Sequence, residues 1–441
     1  MTDSEAPPFF TRQPQPGGTD MNAPESLSAA QGRIDDLADE VEAKVIAWRR
    51  NIHEHPELGN REFRTSRLVA EHLRALGLEV HDRMAHTGVV GLLKGAKPGR
   101  VVALRADMDA LPVTEEVDVP FASKVRTVWN GIESGVMHAC GHDAHTGMLM
   151  GVAEVLTQMR DQIAGTVKFI FQPAEEMPPE GEEGGALLMI KEGVLESPKV
   201  DAIFGLHITS IIPTGMIGYR PGPLMASADD VKITVSGRQT HGGMPWLGVD
   251  PIVVSAQIVL ALQTIVSRQL DLTREPSVIT IGSIHGGIRN NIIPDQVQMH
   301  GTVRTFDEDV RADVLTRVED TCCAVASSGR AHARVDVRKG YSVTVNDDRL
   351  TAQSLPTLQR VAGRDNVFVM QKVCGAEDFS FFQQKVPGFF FFIGCTARDK
   401  DAAHAAPNHS PRFYVDEPGL KLGVRSLAAL TIDYLAASEA R

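Results

Sequence analysis

Cysteine is scarce in this sequence. The five residues at positions 140, 322, 323, 374 and 395 are odd in number and irregularly spaced, which excludes a disulfide framework and predicts a reducing, cytoplasmic setting with at least one free thiol. Long apolar runs are missing too: nothing approaches about 18 uninterrupted apolar residues, and the first twenty residues lack a basic stretch leading into an apolar one. Neither a membrane span nor a secretory leader is expected. Basic residues are outnumbered, with Lys and Arg totalling 44 against 56 for Asp and Glu, a net charge of −12. That balance argues against nucleic acid or an anionic membrane as partner and leaves small-molecule chemistry.

What is present suits a soluble globular fold. At 441 residues, with 43% hydrophobic and 23% charged, the chain has material for two or three domains with real cores. Its start is rich in Pro, Gly and polar residues and precedes a second Met at 21, so residues 1–32 are read as a flexible tail. Ile34, Leu37, Val41, Val45, Trp48 and Ile52 then recur in steps of three and four, the stripe of an amphipathic helix. A second helix carries Leu68, Val69, Leu73 and Leu76 and stops at Gly77. Short apolar runs from Val89 to Leu93, Val101 to Leu104, Val167 to Phe171 and Ala202 to Leu206 alternate with helical patterns. That order reads as an α/β domain with a buried mixed sheet flanked by helices.

Between residues 229 and 338 the rhythm changes. Strand (Val231 to Val235), helix (Pro251 to Gln269), two strands (Val278 to Ile284, Val297 to Val303), helix (Glu308 to Val325) and strand (Arg334 to Val337) follow in order. This βαββαβ sequence predicts a smaller ferredoxin-like domain. It interrupts an α/β catalytic domain of residues 33–228 and 339–441, because Phe389 to Ile393 again reads as a buried strand and Leu420 to Leu435 as a helix.

The densest chemistry lies in His138-Ala-Cys140-Gly-His142-Asp143-Ala-His145. Cys140 and His142 are two apart, so on an extended approach to the following helix they face one side and suit a shared metal; a capped helix start reads the same way. The run ending in Phe171 leads to Gln172-Pro-Ala-Glu175-Glu176. Neighbours on an extended segment point opposite ways, so this dipeptide offers a ligand and a general base, or two solvated charges. His207 stands at the end of another apolar run, and in open α/β sheets ligands bind at the carboxyl ends of strands. His404 and His409 share a late loop that spacing alone does not resolve, and Asp107 and Asp109 follow a buried strand as supports for a ligand histidine or as strand-end caps. His53 and His55 flank Glu54 near a helix end, where solvated roles are commoner.

Several segments together resemble the M20 family of metallopeptidases and amidohydrolases. They are Arg49-Arg-Asn-Ile-His-Glu-His-Pro-Glu-Leu58, Leu104-Arg-Ala-Asp-Met-Asp-Ala-Leu-Pro112, Met137-His-Ala-Cys-Gly-His-Asp-Ala-His145 and Phe171-Gln-Pro-Ala-Glu-Glu176. Gly301-Thr-Val-Arg-Thr-Phe306, Gly375-Ala-Glu-Asp-Phe379 and His409-Ser-Pro-Arg-Phe413 follow in the family's order. The likeness runs from about residue 33 to 437 and is closest to the branch of hippurate hydrolases, N-acyl-amino-acid amidohydrolases and auxin-conjugate hydrolases.

The resemblance implies two divalent metal ions per subunit, Zn²⁺ or Mn²⁺ first and Co²⁺ or Ni²⁺ as alternatives, held by Cys140, His142, Glu176, His207 and His409. It makes Glu175 the general base and Asp107 a support behind the ligands. It assigns His241 to the substrate carbonyl, often of a neighbouring protomer, and Asn291 and Arg304 to the substrate's polar end. It further implies a homodimer built through the inserted domain. Trp246 stands where relatives often carry a second histidine, which bears on the acyl pocket. The expected activity is hydrolysis of an N-acyl amino acid to a carboxylic acid and a free amino acid. The alternatives are a dipeptidase or N-acetyl-amino-acid deacetylase, and last a non-catalytic ligand-binding dimer.

Overall fold

In the computed structural model, which describes residues 25–437, the longest apolar runs become strands of one eight-stranded sheet. Its order across the sheet is Glu79–Met84, Gly88–Lys94, Ala164–Gln172, Lys97–Asp107, Ala202–Pro213, Gly388–Thr396, Ile217–Tyr219 and Val367–Val369. The middle strands run parallel, with Leu104 opposite both Phe169 and Phe204, and Phe391 opposite Leu206. The outer pair at the Glu79 edge is antiparallel, which makes the sheet mixed.

Burial explains the composition of these strands. Val167, Phe169, Ile170 and Phe171, like Phe389 to Phe392, are buried on both faces because helices cover the sheet. Glu25–Glu54 packs on His142–Gln158 and on Leu420–Ala436. His142–Gln158 is buried along nearly its whole length.

The chain divides into two compact units. Of the described residues, one unit comprises 25–222, Val345–Gln371 and 381–437; the other is Pro223–Thr344 with Lys372–Ser380. In the second unit four antiparallel strands lie in the order Ser277–Gly286, Gln296–Thr305, Asp229–Ser236 and His332–Lys339. This is the ferredoxin-like arrangement. Pro251–Thr264 and Glu308–Ser328 supply its helices, and Val254, Ile258, Val314 and Val318 join its own core.

Four features depart from the sequence reading. The tail expected over 1–32 gives way to helix at Glu25, because Ala30 and Ile34 already pack into the core; residues 1–24 lie outside the described residues. The helix expected to run unbroken to Gln269 changes at Ile265 to a π-helical turn. Residues 372–380, assigned by sequence to the catalytic domain, group with the inserted unit, as do 223–228 and 339–344. Lys372 explains part of this, since it pairs with Glu275 and lies 5.4 Å from the Phe306 ring centre. Finally, Asp348–Ala362 is a helix that Pro356 in its interior concealed from pattern reading.

Candidate metal centre

Parallel strands present their carboxyl ends on one side, and the chemistry collects there. Lys97–Asp107 ends on Asp107, Ala164–Gln172 leads into the turn bearing Glu175 and Glu176, and Ala202–Pro213 carries His207. Cys140 does not approach its helix in extended form as expected. The chain turns at Gly141 with φ 97°, and His142 is already the first helical residue. A Cβ at Gly141 would sit 2.4 Å from Ile208 Cδ1, so both conformation and space require glycine there. Glu175 and Glu176 likewise occupy a turn, with left-handed residues at Ala174 (φ 50°) and Met177 (φ 81°) on either side.

The turns bring the expected ligands together. Candidate ligand atoms of Cys140, His142 and His207 lie within 4.8 Å of one another, as do those of Cys140, Glu176 and His409, and of His142, Glu175 and Glu176. The three sets share members, so all six side chains form one cluster. Cys140 Sγ is 3.3 Å from both His207 Nε2 and His409 Nε2, and His409 Nε2 is 2.9 Å from Glu176 Oε1. His404 belongs to none of these groups: it is exposed and pairs with Asp401 at 2.6 Å.

A second layer orients these groups. His142 Nδ1 donates to Asp109 Oδ1 (3.1 Å) and His207 Nδ1 to the Ile208 carbonyl (2.6 Å), which turns each Nε2 to the centre. His142 Nε2 is buried with no hydrogen-bond partner. Asp109 also accepts from Glu176 N–H at 2.9 Å. Asp107 lies behind His142, with its Oδ1 3.8 Å from His142 Nδ1; that oxygen takes His145 Nδ1–H at 2.6 Å and its Oδ2 the Arg105 guanidinium at 2.7 Å, while His145 Nε2 accepts from Ile208 N–H. Asn408 donates to the carbonyls of Cys140 and Ile208, tying the His409 loop to the Cys140 and His207 segments.

The electrostatics call for a cation. Burial, and then the Glu176 and Glu175 carboxylates, push the Cys140 thiol well above its ordinary range. Burial alone would lower His142, yet Asp107 and Asp109 raise it to about 10. An anionic pocket that disfavours a thiolate and favours positive charge, lined by thiol, imidazole and carboxylate donors with one orphaned buried nitrogen, fits a divalent metal pair. The family model of peptidase family M20/M25/M40 matches residues 103–433.

The chain belongs to the M20 peptidase family.

Its M20 relatives include thermostable carboxypeptidase 2 of Saccharolobus solfataricus, 45% identical over 400 residues, which are 90% of this chain and 96% of that one. An N-acyl-L-amino acid amidohydrolase of Geobacillus stearothermophilus is 43% identical over 312 residues, 71% and 80% of the two chains. A crystal structure of a Bacillus subtilis protein, described as a dinuclear metal binding peptidase of the M20 family, is similar with TM-score 0.75 and 34% identity, covering 90% of this chain and 99% of that chain. This M20 chain is a metal-dependent amidohydrolase.

The remaining expected residues of the M20 enzyme lie in the inserted unit. His241 is exposed, and its two-residue strand Thr240–His241 pairs with Ile292–Ile293. Gly242 N–H donates to the Asn291 carbonyl at 2.8 Å, which brings the His241 turn and Asn291 together. Arg304 bonds Thr302 Oγ1 at 2.6 Å, and Trp246 is 75% exposed. His53 contradicts its solvated reading. It is buried between Asp143 (2.8 Å) and Glu115 (3.0 Å), and Asp143 also takes Arg49 Nε–H at 2.7 Å. Asp143 lies beside His142 in sequence, so this network anchors the first turn of the helix His142–Gln158. Sequence reasoning missed the roles of Asn408 and of the His53 network; the adjacency of Asn408 to His409, and the place of Arg49, His53 and Asp143 in family segments, were the signals.

Proposed function

We propose that this enzyme hydrolyses the amide bond of N-acyl amino acids, releasing a carboxylic acid and a free amino acid. The observation that carries the reading is the cluster of Cys140, His142, Glu176, His207 and His409 with Glu175 beside it at the carboxyl end of a parallel sheet. These five residues would hold two divalent ions, Zn²⁺ or Mn²⁺ by their mixed soft and hard donors. Such ions supply Lewis-acid polarisation of the amide carbonyl and acidify water. Glu175, 5% exposed, accepts the proton of the attacking water and passes it to the departing nitrogen.

His241 Nδ1 accepts from Gly243 N–H at 2.9 Å, which fixes the tautomer carrying hydrogen on Nε2. That N–H is the donor for the oxyanion of the tetrahedral intermediate, delivered to a neighbouring protomer's site. Asn291 and Arg304 hold the substrate's polar end. Support for a homodimer comes from the inserted unit: Ile252, Val253 and Leu260 on its Pro251–Thr264 helix are exposed, and Ser277–Gly286 is an edge strand. All five cysteines are free thiols, in keeping with a cytoplasmic setting.

The 45% identical carboxypeptidase favours a second reading, removal of a terminal residue from short peptides. A panel of hippurate, N-acetyl amino acids and dipeptides, run on protein reconstituted separately with each metal, separates them. Faster turnover of acyl amino acids supports the first reading. Turnover confined to peptides overturns it.

A further inference from the structure

The helix Phe63–Ala75 begins at Glu62, whose side chain makes no cap to its own helix. Glu57 does that work, its carboxylate accepting from the N–H groups of Arg64 (2.9 Å) and Thr65 (2.9 Å). The Glu62 carboxyl instead turns inward, 0% exposed. Its Oε1 accepts from Ala174 N–H at 2.8 Å and its Oε2 meets Thr87 Oγ1 at 2.5 Å. Burial first, and then the nearby Asp109 charge, push this carboxyl up to about 8. A carboxyl this deep is costly unless its hydrogen bonds are made, and the bond to the base-bearing turn is one the helix does not need.

That turn is under conformational load. Ala174 sits at φ 50° and Met177 at φ 81°, left-handed positions that L-residues adopt only under strain. Between them stand Glu175 and Glu176. Two carboxylates grip the turn through its backbone, Glu62 at Ala174 N–H and Asp109 at Glu176 N–H (2.9 Å). Gly59 packs against it so closely that an added Cβ would lie 3.1 Å from Ala174 Cα.

We propose that Glu62 is a positioning residue for amide hydrolysis: by holding Ala174 N–H it fixes the strained turn from which Glu175 works as base. The proposal rests on Glu175 being that base. Glutamine keeps an acceptor oxygen for Ala174 N–H, whereas alanine loses both bonds.

The test compares wild type, Glu62→Gln, Glu62→Ala and Glu175→Gln as metal-loaded enzymes. Metal per chain, kcat and KM on the best acyl amino acid of the panel, and hydrogen exchange of the peptide spanning residues 172–177 are measured. Glu62→Ala is expected to lose about 10- to 100-fold in kcat, the scale of a misplaced catalytic group, with KM and metal content near wild type. Its 172–177 peptide should exchange faster while the Phe63–Ala75 helix does not, and Glu62→Gln should restore both rate and protection. If Glu62→Ala does not fold, Glu62→Asp, which shortens the reach by one methylene, takes its place. Wild-type kcat and wild-type exchange in the folded alanine or aspartate variant overturn the proposal while Glu175→Gln stays inactive. Full turnover by Glu175→Gln overturns the base assignment itself, and the Glu62 proposal with it.

Discussion

Replacing Gly141 by alanine strikes the centre without touching a ligand atom. Gly141 separates Cys140 from His142 at φ 97° and ψ 17°. An L-residue there costs about 1–2 kcal/mol in backbone strain. The new Cβ would lie 2.4 Å from Cδ1 and 2.6 Å from Cγ1 of Ile208, which is 1% exposed, and such overpacking adds about 1–3 kcal/mol. The sum is about 2–5 kcal/mol. Ile208 cannot retreat freely, since its backbone N–H bonds His145 and its carbonyl bonds both His207 and Asn408. Strain at residue 141 therefore reaches three ligand segments together. Thermal unfolding with and without metal, and metal per chain by elemental analysis, form the assay. At roughly 1.5–2 °C per kcal/mol for a unit of this size, Gly141→Ala should lower Tm by at least about 3 °C and bind less metal than wild type. A variant matching wild type in both would refute the argument that this left-handed turn sets the ligand geometry.

Other substitutions separate the roles of the site residues. Glu175→Gln should cut kcat by about 10²- to 10⁴-fold while metal per chain stays near wild type; retained turnover, or loss of all metal, would count against dividing base and ligand between Glu175 and Glu176. Cys140→Ala should weaken metal retention, whereas Cys322→Ala, on the Glu308–Ser328 helix of the inserted unit, should not; equal loss in both would remove Cys140 from the ligand set. His53→Leu leaves buried Asp143 and Glu115 short of a partner and should destabilise by about 3 kcal/mol. Burial opposes charge on His53, but Asp143 and Glu115 raise it above its ordinary value. Its contribution is thus complete below about pH 6.5 and lost as pH rises through the raised value, so the gap in Tm between wild type and variant should narrow on going alkaline; a constant gap would show that charge on His53 is irrelevant. Mixing inactive His241→Ala and Glu175→Gln subunits should restore activity through heterodimers with one intact site, and no recovery after mass spectrometry confirms exchange would place His241 within its own chain's site or outside catalysis.

Much of this centre was legible because its donors are chemically unusual residues in short motifs. A Cys-x-His before a helix, a Glu-Glu after a strand and histidines at strand and loop ends are visible one at a time. Their convergence is not, since it depends on strand ends delivering residues 175 and 207 and on the Gly141 turn and the Asn408 loop bringing 140 and 409 to the same place. Periodicity found the buried strands, whose Val and Phe runs carry the signal, but not the helix Asp348–Ala362, because Pro356 breaks its pattern. The local geometry at Cys140 and at Glu175–Glu176 was misjudged as extended. Positive φ at Gly141, Ala174 and Met177 is a property of the packed turn, and the alanine and methionine give no sequence sign of it. The supporting layer was the least visible part. His53 looks like a solvated histidine until the fold closes Asp143 and Glu115 around it.

The central claim is that the Cys140–His142–Glu176–His207–His409 cluster binds the metal on which amide hydrolysis depends. Its most direct test is titration of chelator-stripped enzyme with Zn²⁺ or Mn²⁺, following bound metal by elemental analysis and hydrolysis of an N-acyl amino acid in the same samples. Activity should rise with bound metal and level off at two ions per chain, with Cys140→Ala and His142→Ala each lowering that stoichiometry. Full turnover by metal-free protein, or undiminished binding in both variants, would contradict the account.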